Sequence, residues 1–325
     1  MDALCLSPAQ WREGRRVLLE QLADSPVPAG TLPEAWSESE TLQESVFNLD
    51  SYNQLVGEIC QQTSVDQAAK YGFLSLPAEA LISVVVPVFN EDATIERVLR
   101  RLASCPVVGQ IIVVNDASSD GTACVLQSVD QEKTSDFWVE RLPGGLHLIS
   151  HPVNRGKGAA LQTGFALTTL NWVAIQDADT EYDPLDLIRL MNETRESSDR
   201  GPAANVVYGS RYLSRSNVSS PLWHRAGNGL ITWAANRFNG LQLTDVETCY
   251  KLIRRDLLEA VRNTLKENRF GIEIELTAKL ARHPATVFAE CPIQYEKRSY
   301  AEGKKIGVKD GVRALWCMLR YRVRD

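Results

Sequence analysis

Residues 82–88, Ile-Ser-Val-Val-Val-Pro-Val, form a nearly unbroken apolar and β-branched run. That is the pattern of a strand covered on both faces, since a half-exposed strand would alternate with polar positions. The period then changes: over 92–103 the apolar positions Ile95, Val98, Leu99 and Leu102 recur three and four apart, which predicts a helix. The alternation repeats. Strands are predicted at 110–114, 146–150, 170–175 and 206–209, and helices from Asp120 and over 158–168. A βαβα series of this kind implies a mostly parallel α/β sheet covered by helices. Ligands of such sheets sit at the carboxyl ends of the strands.

Residues 1–80 read differently and are expected to form a helical N-terminal extension. Trp11, Val17, Leu18 and Leu22 follow helical spacing after a Ser7-Pro8 start, and a second helical segment covers 42–62 beyond a polar, proline-bearing stretch. The main domain is assigned to 81–295 and a basic tail to 296–325.

In that tail nine Lys/Arg face four acids, a balance of +5, so the net charge of −6 leaves −11 for the rest of the chain. An acidic body argues against a nucleic-acid partner, whereas the basic tail suits a phosphate or an anionic membrane face. Within it Val308, Val312, Leu315, Trp316, Leu319 and Val323 fall on one helical face, flanked by Lys309, Arg313, Arg320, Arg322 and Arg324. This predicts an amphipathic helix fit to lie on a membrane surface. No basic stretch followed by an apolar one opens the chain, and no apolar run approaches the roughly 18 residues of a membrane span. The seven cysteines are scattered without a C-x-x-C pair, as expected of reduced thiols in a cytoplasm.

Chemistry concentrates at the predicted strand ends. Asp177 and Asp179, in Gln176-Asp177-Ala178-Asp179, are two apart and in an extended segment point the same way, where they can converge on a hard divalent cation, Mg²⁺ or Mn²⁺. The first strand ends in Pro87-Val88-Phe89-Asn90-Glu91. The second ends in Asn115-Asp116, with Asp116 able to accept hydrogen bonds from a base or ribose and Asp120 placed as a helix cap. After the third comes Asn154-Arg155-Gly156-Lys157-Gly158, whose glycines let a backbone approach a ligand and whose lysine can meet a diphosphate.

In this order, V-V-V-P-V-F-N-E at 84–91, V-N-D-A-S-S-D-G-T at 114–122, N-R-G-K-G-A-A-L at 154–161 and Q-D-A-D at 176–179 resemble a GT-A fold glycosyltransferase of family 2. Downstream, G-S-R-Y at 209–212, W-H-R-A-G-N at 223–228, D-V-E-T-C-Y-K at 245–251, F-G-I-E-I-E at 270–275 and the tail from Tyr295 to Ile306 resemble the polyprenyl-phosphate (dolichyl-phosphate) mannose and glucose synthases.

The resemblance implies that Pro87, Phe89, Glu91 and Asp116 hold the nucleoside, that Lys157 lies near the diphosphate, and that Asp177 and Ala178 face the ribose or sugar. Asp179 would be the ligand of Mg²⁺ or Mn²⁺. Ser210, Arg211, Arg225 and Lys304 would surround an acceptor phosphate. Phe89 and Asn115 depart from the family's commoner Tyr and Asp. The implied reaction inverts a hexose from UDP-glucose or GDP-mannose onto a polyprenyl phosphate, with Asp177, Asp245, Arg211 and Arg225 as the catalytic set. A phosphate acceptor, already largely dianionic near pH 7, needs no general base. A hydroxyl acceptor would need one, and for that alternative Asp245 is the candidate; otherwise Asp245 orients the acceptor arginines.

Overall fold

The computed structural model describes residues 48–62, 75–195, 203–213 and 222–296. Its centre is β1 (Ile82–Val88), whose Ile82, Val84, Val85 and Val86 are wholly buried. β2 (Val108–Asn115) and then β3 (Leu146–Ser150) lie parallel on one side. β4 (Trp172–Ile175) lies parallel on the other. The sheet continues through β6 (Lys251–Arg254), β5 (Val206–Ser210) and β7 (Phe288–Pro292) to the order β3-β2-β1-β4-β6-β5-β7.

The five predicted strands all form. β4 starts at Trp172 rather than 170 because the Thr169 and Leu170 amides donate to the side chains of Gln110 and Ser83, at 3.0 and 3.1 Å, and so leave the ladder. Two strands were absent from the sequence reading. β6 has four residues with a charge at each end, and runs antiparallel to both β4 and β5. β7 is short and only partly buried.

Among the helices, α1 (Leu49–Gln62) buries Leu49, Tyr52 and Val56 in the common core. The Asn53 amide fixes its position by two 2.7 Å bonds with the Leu76 backbone. This matches part of the helix expected over 42–62; the helix expected near Ser7–Leu22, and the amphipathic one from Val308, lie outside the described residues. α2 (Ile95–Ala103) and α3 (Thr122–Glu132) follow β1 and β2. Asp120, read as a cap, stands one residue before the N-cap Gly121 and accepts from the Thr122 amide at 3.0 Å. A short α4 (Asp136–Arg141) precedes β3. α5 (Lys157–Phe165) crosses β1 and β2, with Gly164 against Val85. α6 (Asp186–Asn192) covers β5 to β7. α7 (Leu222–Asn239), α8 (Arg255–Arg262) and α9 (Ile272–Arg282) complete the layer. Among the described residues no helix is long and apolar enough to cross a membrane.

Candidate active site

The chain moves outward from β1 in both directions, to β2 and β3 on one side and β4 on the other, so β1 is the point where a ligand crevice opens. The crevice has a local cause. β1 pairs with β2 through Val88, but its ladder to β4 stops at Val85↔Ile175, and the Gln176 amide makes the last bond, 3.0 Å to the Val85 carbonyl. Pro87, which has no N–H to donate, therefore costs no ladder bond on the β4 side.

Beyond that split lies the Asp-Ala-Asp segment. Ala178 is enclosed, Asp177 and Asp179 on either side are half-buried, and the backbone bends from Ala178 to Thr180. The Thr94 hydroxyl, at 2.9 Å from the Ala178 carbonyl and 3.1 Å from the Glu91 carboxylate, ties this segment to the end of β1. Asp179 accepts from the Glu181 amide at 3.1 Å. Phe89 stands 37% exposed at the same strand end.

Asp177 does not face the crevice alone. Lys157, the first residue of α5, lies 2.7 Å from the Asp177 carboxylate and 3.0 Å from Glu273 on α9. Glu273 in turn holds the fully buried Lys251 at 2.7 Å. Lys251 donates to the Val246 carbonyl at 3.1 Å and to that of Thr248, over the Tyr208 ring. Burial disfavours the Lys157 ammonium, but Asp177 and Glu273 outweigh it and raise its pKa well above the ordinary lysine value. For Asp177 burial works upward; Lys157 and the Cys249 thiol prevail and hold the carboxyl below its ordinary value. Both groups are thus charged at neutral pH.

The loop that carries Lys157 corrects two expectations. Asp116 was assigned to the nucleoside, yet both of its oxygens serve the loop. His151 Nδ1 lies 2.7 Å away and the Arg155 and Gly156 amides donate at 2.9 and 2.6 Å. A carboxylate with three such partners has little capacity left for a base. The glycines were expected to admit a ligand; they admit the backbone of Glu267–Arg269 instead, where the Ala159 amide bonds the Asn268 carbonyl at 3.1 Å. A β-carbon on Gly158 would fall on the Glu267 carbonyl oxygen and 2.8 Å from the Asn268 carbonyl carbon. Gly158→Ala is expected to cost about 2 kcal/mol by overpacking, read as a lowered urea midpoint; an unchanged midpoint would mean that the loop yields.

The ends of β1 and β2 are stitched together as well. The Asn90 amide donates to Ser118 Oγ at 2.9 Å, and the Ser119 amide to Asn90 Oδ1 at 2.7 Å. Asn90 and Ala117 hold φ of 53° and 57°, left-handed conformations that non-glycine residues adopt at a cost and that gather at functional loops. Asn115 accepts from the Ser118 amide at 3.0 Å, so its amide shapes this turn in place of the family's acid.

A second cluster lies at the end of β5. The Arg211 guanidinium grips Asp245 through two bonds of 2.7 and 2.8 Å, and the Arg211 amide adds a third at 3.1 Å. Asp245 has no exposed surface and also takes the Asn228 amide at 3.4 Å. This counts against Asp245 as a general base, because no face remains for a substrate hydroxyl. Burial opposes the Arg211 charge, but Asp245 overrides it and lifts its pKa well above the ordinary value. Ser210, expected at the acceptor phosphate, is buried and bonds Thr244 Oγ1 at 2.6 Å. Arg225 is in the first turn of α7, its side chain outside the described residues, as is all of Lys304.

Tyr182 and Tyr295 join the clusters. Arg211 lies 5.3 Å from the Tyr295 ring, which packs edge-on against Tyr182 at 5.3 Å. The Tyr182 hydroxyl feels the charges of both Arg211 and Asp177. Glu247 sits between, its pKa raised by burial against the pull of Arg211. Glu247, Glu273, Lys251 and Tyr295 were missed as individuals, only their segments having been singled out, and Tyr182 was missed altogether.

Tyr295 is held in place partly by Asp186, whose carboxylate accepts from the neighbouring Gln294 amide at 2.7 Å and from Arg189 at 2.8 Å. Burial pushes its pKa from 3.8 up to about 7. The folded state therefore keeps a proton that the unfolded chain has lost, and stability falls as pH rises from about 4 to about 7, then levels. Asp186→Asn is expected to flatten that slope, gaining roughly 3–4 kcal/mol on wild type over the interval; parallel denaturation curves at pH 4.5 and 7.5 would refute it.

The profile of Glycosyl transferase family 2 matches residues 83–262, more than half of the chain. The chain belongs to this family. Its relatives include an undecaprenyl-phosphate 4-deoxy-4-formamido-L-arabinose transferase of Pseudomonas paraeruginosa, 29% identical over 69% of this chain and 60% of that one. An undecaprenyl-phosphate mannosyltransferase of Micrococcus luteus is 26% identical over 74% of this chain and 98% of its own length. The family 2 chain thus spans about 60% of the length of several relatives it matches. Among solved structures, glucosyl-3-phosphoglycerate synthase of Mycobacterium tuberculosis in complex with Mn²⁺, UDP and phosphoglyceric acid superposes with a TM-score of 0.51. It is 21% identical over 75% of this chain and 78% of that one. The fold is GT-A.

The donor set of this family 2 chain suits a hard cation. Among the described residues no three His, Cys, Asp or Glu side chains gather into a closed cage. Asp179 would hold the ion beside Asp177, with phosphate oxygens of a ligand filling the remaining places, as Mg²⁺ and Mn²⁺ prefer.

Proposed function

We propose that this chain is a metal-dependent inverting hexosyltransferase that takes a hexose from a nucleoside diphosphate sugar, UDP-glucose or GDP-mannose, and gives it to a polyprenyl phosphate. The observation that carries the reading is the Arg211–Asp245 clamp, a guanidinium fixed by a fully buried carboxylate at the end of β5. A fixed fork of this kind suits a phosphate acceptor, which needs a positioned cation and no base. The enclosure of Asp245 weighs against the hydroxyl-acceptor alternative in which it takes the proton. The undecaprenyl-phosphate relatives lend the lipid its support.

In this reading Pro87, Phe89 and Glu91 border the nucleoside, and Asp177 and Ala178 the ribose or sugar. Asp179 holds Mg²⁺ or Mn²⁺, which when bound offsets charge growing on the leaving diphosphate. Lys157 meets that diphosphate and Arg211 orients the acceptor phosphate for attack on the opposite face of the anomeric carbon. Arg225 and Lys304 are assigned to the same phosphate. The tail 296–325 rests on the cytoplasmic membrane face, next to the lipid. Of the extension 1–80, α1 shares the core of the main domain 81–295 through Leu49, Tyr52 and Val56.

The test is incubation of the protein with Mn²⁺ and a panel of UDP- and GDP-hexoses, with and without polyprenyl phosphate in detergent. Release of nucleoside diphosphate that requires the lipid phosphate is expected from one donor. Release supported by a free polyprenol or a soluble sugar, and not by the phosphate, would overturn the lipid-phosphate reading.

A further inference from the structure

Lys157 occupies an unusual place. A cation at the first position of a helix opposes the helix dipole, and this one is largely buried, with 13% of its side chain exposed. Two carboxylates from opposite walls compensate it: Asp177 at 2.7 Å from the β4 end and Glu273 at 3.0 Å from α9. Glu273 keeps a second, permanent partner in Lys251 at 2.7 Å. Along the line Asp177–Lys157–Glu273–Lys251 negative and positive groups therefore alternate. Lys157 and Glu273 each have a partner on both sides, and of the two Lys157 is the one that reaches the Asp-x-Asp segment.

We propose that Lys157 is a resident counter-ion of the Asp-x-Asp segment, competing with the divalent cation until the donor diphosphate draws it away, with Glu273 as the positioning residue that keeps the ammonium in the site. The inference rests on the proposed donor and metal reading and deepens it. Asp177 is two residues from Asp179, and its charge is part of what attracts a cation there. An ammonium at 2.7 Å cancels that charge, so the cation alone binds weakly. A diphosphate brings anionic oxygens for both cations: it ligates the metal and accepts from Lys157, and Asp177 is released to support the ion. Cation and nucleotide then bind cooperatively, and the coupling is reciprocal. Lys157→Met removes the competitor while filling nearly the same volume. Glu273 keeps Lys251 in that variant, so no buried cation is stranded.

The experiment is direct Mn²⁺ binding, followed by the paramagnetic resonance signal of the free ion, for wild type and Lys157→Met, each with and without UDP. Without UDP the variant is expected to bind Mn²⁺ about tenfold tighter than wild type. With saturating Mn²⁺ the order reverses, and UDP binds the variant about tenfold more weakly. Opposite signs are what a merely structural role would not give. Glu273→Gln, checked for a native melting profile, is expected to weaken Mn²⁺ binding without UDP, because Lys157 then leans on Asp177 alone. Equal or weaker Mn²⁺ affinity in UDP-free Lys157→Met would overturn this inference and leave the metal reading intact. Absence of Mn²⁺ binding in all proteins, even with UDP, would overturn the metal reading and this inference with it.

Discussion

Asp179→Asn is expected to lower turnover by about a thousandfold, the scale of losing one group that stabilises charge in the transition state. The expectation follows from position and chemistry. Asp179 lies past the end of β4, four residues beyond Ile175 and two beyond Asp177. On the proposed reading it would supply the hard anionic oxygen that Mg²⁺ or Mn²⁺ requires, and an amide oxygen is a far weaker ligand. Local structure should survive, because asparagine can still accept from the Glu181 amide, which Asp179 now does at 3.1 Å. Initial rates against Mn²⁺ concentration, with a thermal melt as control, decide the matter. A rate within tenfold of wild type at saturating Mn²⁺ would remove Asp179 from the metal site.

The largest stability effect is expected at Asp245. Asp245→Ala strands the Arg211 guanidinium, and breaking a buried pair from one side costs about 3–5 kcal/mol. It also removes the acceptor of the Arg211 amide and of Asn228. Because the penalty comes from the uncompensated charge, the double variant Asp245→Ala/Arg211→Met should recover part of it. Urea denaturation of the two single variants and the double completes the cycle. A loss below about 1 kcal/mol for Asp245→Ala would mean that the carboxylate is not the anchor of Arg211.

The first four strands were legible because their signals are local. A β-branched run ending in polar residues announces a buried strand and its mouth within a dozen positions, and four such mouths in order fixed β1 to β4 and the Asp-x-Asp segment. What escaped is long-range. The contacts of Lys157 with Glu273 and of Asp116 with His151 join positions that no periodicity links. Asp116 was therefore read only as a ligand-facing acid, and its bonds to the next loop were not foreseen. Lys251 sits at a strand start and is wholly buried, against every compositional expectation for lysine, because Glu273 and two carbonyls enclose it. β6 was missed for the same reason: charges bracket a two-residue apolar centre, and only its flanking strands make it part of a sheet.

The reversed direction of β6 has a consequence for how such proteins diversify. β5 ends and β6 begins at the same edge, with Tyr208 opposite Lys251. The chain between them leaves the sheet and returns to it at one place, where the Arg211–Asp245 clamp joins the two ends. The described residues of this excursion, which include the whole of α7, thus depart from and rejoin the sheet at one neck. On the proposed reading, an exchange or insertion confined to this neck would alter the acceptor side while the pairing of β1 with β2 and β4 stays as it is.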